Sequence, residues 1–341
     1  MRKLKAAGLA RGGLFTACAL AFPFIFPEHW IVNIGIFTMM YMVLATAWNI
    51  LGGFAGYLSL GHAAFFGAGA YAEAIAFEHI SLGSGYRPFL VLPLIGLVVA
   101  AAAVPIAWVA LRTRAATFAI VTISLLFIVQ QLAFNLHSLT NGASGLTMPI
   151  PPFAMATFER PFYLAMVAVW ALSVLASWYV STGKVGLMLF AIRDDEERAR
   201  GLGVRVTFAK MVAFVLSAGL SAMAGGIWAY YEGFIYPQFA IDPLVTIGAV
   251  LMAFLGGRGT IWGPTLGALI LVPAQSYLAF TQGASQLYLI AYAGVFLAIM
   301  LVMPRGIIPS LTDLVNSWRT RNGAAQTGPG EPAPRPTGVP S

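Results

Sequence analysis

Charge is scarce in this 341-residue chain and gathered in one place. The chain holds 19 basic and 12 acidic residues, and ten of these fall between Lys184 and Lys210. The stretch AIRDDEERARGLGVRV, residues 191–206, runs Arg193, then Asp194, Asp195, Glu196 and Glu197, then Arg198, Arg200 and Arg205. Acids ahead of bases suit a helix dipole. The expectation is a short helix over 191–203, bounded by Gly183, Gly186 and Gly203. Its chemistry is recognition through paired charges. A loop that met only a topological bias would need Lys and Arg and has no use for four consecutive acids, so a docking surface for a soluble protein is the better reading. These charges are expected to be too exposed to stabilise the fold, because surface ion pairs contribute about 0–1 kcal/mol.

Catalytic chemistry has no comparable signal. STGKVG lacks the upstream glycine of a phosphate-binding loop, no HExxH is present, and no pair of carboxylates stands inside an apolar run. Cys18 is the only cysteine, so neither an intrachain disulfide nor a thiolate metal cluster is expected. The chain is read as non-catalytic, holding no metal and no cofactor of its own. Polar residues inside apolar runs form the second set of candidates, because such side chains are costly in hydrocarbon and usually functional. They are Asn49, Ser59, Glu73, Gln130, Gln131 and Asn135, with His62 read as an interfacial residue more often structural than functional. Glu73 is the only acid deep in an apolar run, placed where it either lines a pathway or bonds a neighbouring helix. Gln131 and Asn135, at i and i+4, share a helix face.

The elements that must position these residues are membrane helices. Hydrophobic residues make up 59% of the chain and charged residues 9%, against roughly 25% charged in a soluble domain. The longer apolar runs match the length a helix needs to cross about 30 Å of hydrocarbon, and they lack the alternation of a β-barrel. The fold class is an all-α integral membrane protein, a polytopic bundle of about ten spans. The spans are placed near 13–27, 31–51, 62–78, 89–111, 115–136, 161–182, 211–231, 244–255, 263–280 and 287–303. With the N-terminus inside, every basic residue except Arg87 and Arg160 falls on the cytoplasmic side, as the positive-inside rule requires. Both termini are then cytoplasmic. The basic start resembles a signal peptide, but Pro23 and Pro27 close the run without a small-residue cleavage site, so an uncleaved first span is expected. No stretch interleaves bases with aromatics as a nucleic-acid surface would.

This gives a cytoplasmic segment 1–12, a membrane domain 13–309 with a cytoplasmic loop 183–210, and a tail 310–341 that is Pro- and Gly-rich and disordered from about 322. The outer segment 137–160 is long enough to form a structured cap. Two glycine clusters resemble each other: Gly52, Gly53 and Gly56 in LGGFAG, and Gly256, Gly257 and Gly259 in LGGRGT. Each either lets helices pack closely or breaks a helix so that its backbone faces a cavity.

Within the charged stretch, Glu197, Ala199 and Gly203 match the Glu-Ala-Ala-x-x-x-Gly loop of ABC importer permeases, with Arg198 at the first Ala position. GYLSLGHAAFFGAGAY, TNGASGL, KMVAFVLSAGLSAMAGG, GFIYPQF, LGGRGTIWGPTLGA and PRGIIP follow in the order of one branch. Over residues 33–309 the chain resembles the LivM-type permease subunit of branched-chain amino acid importers. The resemblance implies that Arg193, Asp194, Asp195, Glu196, Glu197, Ala199 and Gly203 couple the bundle to a cytoplasmic ATPase. It implies a second related permease, two such ATPases that use ATP, a periplasmic or extracellular solute-binding protein, and a bacterial inner membrane with its lipid. FAIVTISLLFIVQQ carries Phe127 and Gln130 where the family often has a carboxylate and a basic or polar residue. A less charged pathway is therefore expected, moving branched-chain or other apolar amino acids. The alternatives are a permease for urea or another small solute and an ion-driven secondary transporter, which needs buried carboxylates beyond Glu73.

Overall fold

The computed structural model describes residues 2–80, 83–282, 293, 294, 297, 301 and 306–312. Its order is α1 (Arg2–Ile25), α2 (His29–Gly52), α3 (His62–Ile80), α4 (Arg87–Ala110), α5 (Ala115–Asn135), α6 (His137–Thr140), β1 (Leu146–Thr147), α7 (Glu159–Thr182), α8 (Lys184–Asp194), α9 (Glu196–Gly201), α10 (Val206–Glu232), β2 (Phe234–Ile235), α11 (Pro237–Ala240), α12 (Pro243–Gly256) and α13 (Gly263–Gln282). The architecture is helical, as expected. Stretches built on α2, α4, α5, α7, α10 and α12 are each long and apolar enough to cross a membrane. The first nine expected spans each fall on a helix. The tenth, at 287–303, and the tail beyond 312 lie outside the described residues, apart from isolated positions. The first span and the basic segment before it form one helix, because α1 already begins at Arg2.

Helix ends follow local chemistry. Pro88 stands in the first turn of α4 and Pro243 opens α12, where a missing N–H costs nothing. Asp242 caps α12, its carboxylate accepting from the Leu244 N–H at 2.8 Å.

The core is organised around α10, which is buried along most of its length. Its small residues Ser217, Ala218, Gly219, Ser221, Ala222, Gly225 and Gly226 let neighbouring backbones approach closely. A Cβ on Gly225 would collide with the Phe66 carbonyl, and one on Gly69 of α3 would collide with the Ala222 carbonyl. On the other flank Gly96 of α4 meets Gly219. By contrast α4 and α5 expose large apolar side chains such as Leu90, Leu97, Ile120 and Ile128, a surface suited to lipid.

The connecting segments sort onto two ends. At one end β1 pairs antiparallel with β2, Leu146 opposite Ile235, and the Met148 N–H donates to the Gly233 carbonyl at 2.8 Å. His29 meets Glu159 at 2.9 Å there, and the Gly85 N–H donates to the Tyr230 hydroxyl at 3.0 Å. Among the described residues this capped end holds the loops expected outside; the loop between the ninth and tenth expected spans lies largely beyond them. The opposite, charged end gathers 53–61, 111–114, 183–205 and 257–262.

Candidate functional site

The charged stretch forms two helices, where one was expected over 191–203. Asp195 between α8 and α9 is extended, with φ −162° and ψ 109°, and its carboxylate accepts from the Arg198 N–H at 3.0 Å. A carboxylate there satisfies an otherwise orphaned donor, so capping a new helix wins over continuing α8. The Arg198 guanidinium also pairs with Asp195 at 3.0 Å.

The two helices present different faces. Asp194, Glu197 and Arg198 point outward. The Glu197 side chain is 89% exposed and lies 3.8 Å from Arg114. Ala199 is buried in the core. Glu196 also turns inward, which corrects the expectation that all these charges are too exposed to hold the fold. Its carboxylate accepts from Lys210 Nζ at 3.1 Å, from Arg200 at 3.0 Å and from the Tyr57 hydroxyl. Lys210 Nζ donates in addition to the Tyr57 oxygen at 2.9 Å. Lys210 is 1% exposed, and a buried ammonium is costly unless paired. Burial works against a charge on Glu196, but hydrogen bonds from Tyr57 and Lys210 and the charges of Lys210 and Arg200 outweigh it and hold the carboxyl below the usual range. Burial, reinforced by the Glu196 carboxylate, pushes the Tyr57 hydroxyl up, so it remains a donor.

Arg193 joins the two glycine clusters. Its Nη1 donates to the Gly53 carbonyl at 3.1 Å and lies against Gly259, where a Cβ would meet it at 2.5 Å. Asn49, fully buried, completes the join: Oδ1 accepts from the Gly259 N–H at 2.7 Å and Nδ2 donates to the Thr260 carbonyl at 2.9 Å. Gly52 and Gly256 end α2 and α12, and Gly56, Gly257 and Gly259 take positive φ. Gly259, at φ +78° under the Arg193 guanidinium, has neither the conformation nor the space for a side chain. The clusters are therefore true breaks, and they touch.

Beyond the first break the chain runs unwound from Gly56 to Gly61. Side chains from three helices satisfy backbone groups of this segment and of the first turn of α3 that follows it. Trp48 Nε1 donates to the Ser59 carbonyl at 2.8 Å, the Leu60 N–H donates to Thr122 Oγ1 at 3.0 Å, and the Ala63 N–H donates to Thr246 Oγ1 at 2.8 Å. His62, expected at an interface, is fully buried with Nδ1 3.1 Å from Ser59 Oγ, while its Nε2 has no hydrogen-bond partner among the described residues.

The remaining candidates do not converge on this cluster. Glu73 is fully buried between α3 and α10, Oε2 facing Gly226, and both oxygens lack a hydrogen-bond partner among the described residues. Gln130 donates to the Ile241 carbonyl at 2.9 Å, a bond between α5 and the chain before α12. Gln131 and Asn135 are exposed on α5, joined by a 2.7 Å bond from Asn135 to the Gln131 carbonyl. Phe127 is half exposed on the same helix. Beside them α3, α4 and α5 flank an open, largely apolar cavity of about 390 Å³ that reaches Tyr71, Thr140 and Ile241. Sequence reasoning missed Tyr57, Trp48, Thr122 and Thr246. Lys210 was counted only as a loop cation, although its place at the start of an apolar run was a signal that water does not surround it.

Residues 30–303 match the family model described as branched-chain amino acid transport system / permease component. The chain belongs to this permease family. The permease is 30% identical over 320 residues to the high-affinity branched-chain amino acid transport system permease protein LivM of Salmonella typhimurium, covering 85% of this chain and 72% of that protein. It is 28% identical over 335 residues to LivM of Escherichia coli, covering 90% and 76%. A shorter match, 32% over 139 residues, joins it to the autoinducer 2 import system permease protein LsrC of Salmonella paratyphi B, over 38% of this chain and 40% of that protein. No solved structure matches the permease.

Proposed function

We propose that this permease is one transmembrane subunit of an ATP-driven importer of branched-chain or other apolar amino acids, with α8 and α9 as the place where a cytoplasmic ATPase engages it. The observation that carries this reading is the division of α8–α9 into an outward charged face, Asp194, Glu197 and Arg198, and an inward face tied to both glycine breaks. An engaged ATPase that shifts these helices shifts the breaks with them. The bundle then alternates between inward and outward access, provided that ATP and solute each favour one state. The working assembly has a second related permease, two ATPases and a solute-binding protein that docks on the capped end. In that assembly this permease crosses the inner membrane ten times with both termini cytoplasmic. The 28–30% identity to LivM over most of both chains and the apolar cavity lining favour a small apolar solute. The outward face supplies the test. Reversing Asp194 and Glu197 together to Lys is expected to lower ATPase copurification at least tenfold, since losing one partner of a desolvated interface pair costs about 2–5 kcal/mol. Undiminished copurification and uptake would show that the face only meets water.

A further inference from the structure

Tyr57, Glu196 and Lys210 bring together three elements distant in sequence: the unwound segment after the first glycine break, the first residue of α9, and the second turn of α10. Their polar atoms meet in one buried knot. Lys210 Nζ lies 2.9 Å from the Tyr57 oxygen and 3.1 Å from Glu196, and 4.2 Å from the Tyr57 ring centroid. Tyr57 is 3% and Lys210 1% exposed.

We infer that Tyr57, Glu196 and Lys210 are positioning residues that lock the first glycine break to α9, so that the unwound segment and the ATPase-facing helix move as one body throughout transport. This rests on the reading that an ATPase engages α8 and α9. If the break separated from α9 and α10, the Tyr57 hydroxyl would lose both its bond to the Glu196 carboxylate and the one from the Lys210 ammonium, and buried polar groups left without a partner are costly. The low-energy motion is therefore concerted. The lock also has somewhere to lead. Tyr57 stands two residues before Ser59, whose carbonyl holds Trp48 of α2; the same segment is fastened through Leu60 to Thr122 of α5, and the first turn of α3 that continues it through Ala63 to Thr246 of α12. Arg193 makes a second, independent tie from α8 to Gly53. Two ties from consecutive helices to one segment fix both its position and its orientation.

Two variants, each tested in the complete complex with its partner permease, ATPases and binding protein, decide the matter. Tyr57→Phe removes one hydroxyl and leaves the ring packed against Phe118 at 5.4 Å and the Glu196–Lys210 pair intact. It is expected to keep ATPase copurification while solute-stimulated hydrolysis and uptake fall about tenfold, the scale of one lost charge-assisted hydrogen bond. The paired variant Tyr57→Cys/Glu196→Cys, in a Cys18→Ala background, replaces the knot with two thiols that a short bis-methanethiosulfonate can bridge, each thiol displacing methanesulfinate as it forms a disulfide. Uptake is expected to be low before cross-linking and to recover after it, since a permanent tie is what the native residues supply; a merely stabilising contact gives no such recovery. Wild-type coupling in Tyr57→Phe, or arrest of transport by the cross-link, overturns the inference. A wild-type complex with no ATP-dependent uptake overturns the functional reading itself.

Discussion

Neighbouring acids in DDEE have opposite surroundings, and that difference is measurable. Glu196→Lys would set a second cation beside the buried Lys210. Breaking a buried pair costs about 3–5 kcal/mol; the Glu196 side chain keeps 26% exposure, which reduces this to about 1–3 kcal/mol. Glu197→Lys, at 89% exposure, should stay within about 0.5 kcal/mol of wild type. Thermal unfolding in detergent reads both, and equal melting temperatures would refute the division into faces. The same experiment has a pH arm. Glu196 titrates below its ordinary value of 4.5 in the folded protein, so its stabilisation is complete above that value and is lost as pH falls through the folded one. Glu196→Gln should therefore flatten the acid limb of the stability profile while changing the neutral limb only by a constant offset. The gathering of charge into one segment was legible from residue types alone. Which acid turned inward was not, because that depends on Tyr57, 139 residues away in sequence, and a local pattern carries no information about such a partner.

At the scale of elements, glycine does two different jobs in this protein. In the seam between α3 and α10 it permits backbone contact, and Gly225→Leu or Gly69→Val would force the two helices apart at carbonyl oxygens that cannot move. These substitutions are expected to abolish accumulation of folded permease, because overpacking at rigid backbone exceeds the usual cost of about 1–3 kcal/mol for a core side chain. Gly203, at φ +83° with open space around it, should by contrast accept Ala with a local penalty of about 1–2 kcal/mol and a folded bundle. Size-exclusion profiles and yields separate the two outcomes, and a well-folded Gly225→Leu protein would contradict the seam. The helices themselves were readable from apolar length, and the first nine span positions lie on helices. The break at Asp195 was missed because a carboxylate in a run of acids reads equally well as helix interior or helix cap. The meeting of the two glycine breaks was invisible for a different reason: their similarity in sequence says nothing about distance, which Asn49 and Arg193 set in three dimensions.

For the whole molecule, the sorting of loops onto a charged end and a capped end agrees with the bias of basic residues, so orientation in the membrane can be tested with single cysteines in a Cys18→Ala background. Ser84→Cys and Ser144→Cys should react with an impermeant thiol reagent from outside the cell and Arg114→Cys only after the membrane is opened; labelling of Arg114→Cys from outside would invert the assignment. The apolar outer surfaces of α4 and α5 and the buried small-residue face of α10 follow from residue size and polarity. The source of energy does not, since an ATP-driven and an ion-driven bundle share both. The central claim is that ATP hydrolysis by a cytoplasmic ATPase engaged at α8 and α9 drives solute movement through this permease, and the most direct measurement is leucine uptake into proteoliposomes holding the complete complex and its binding protein. The expected result is uptake that requires ATP inside the binding-protein-free compartment, persists after ionophores collapse every ion gradient, and stops when Asp194 and Glu197 are reversed to Lys. Uptake by the permease that runs on an imposed ion gradient without ATP would contradict it.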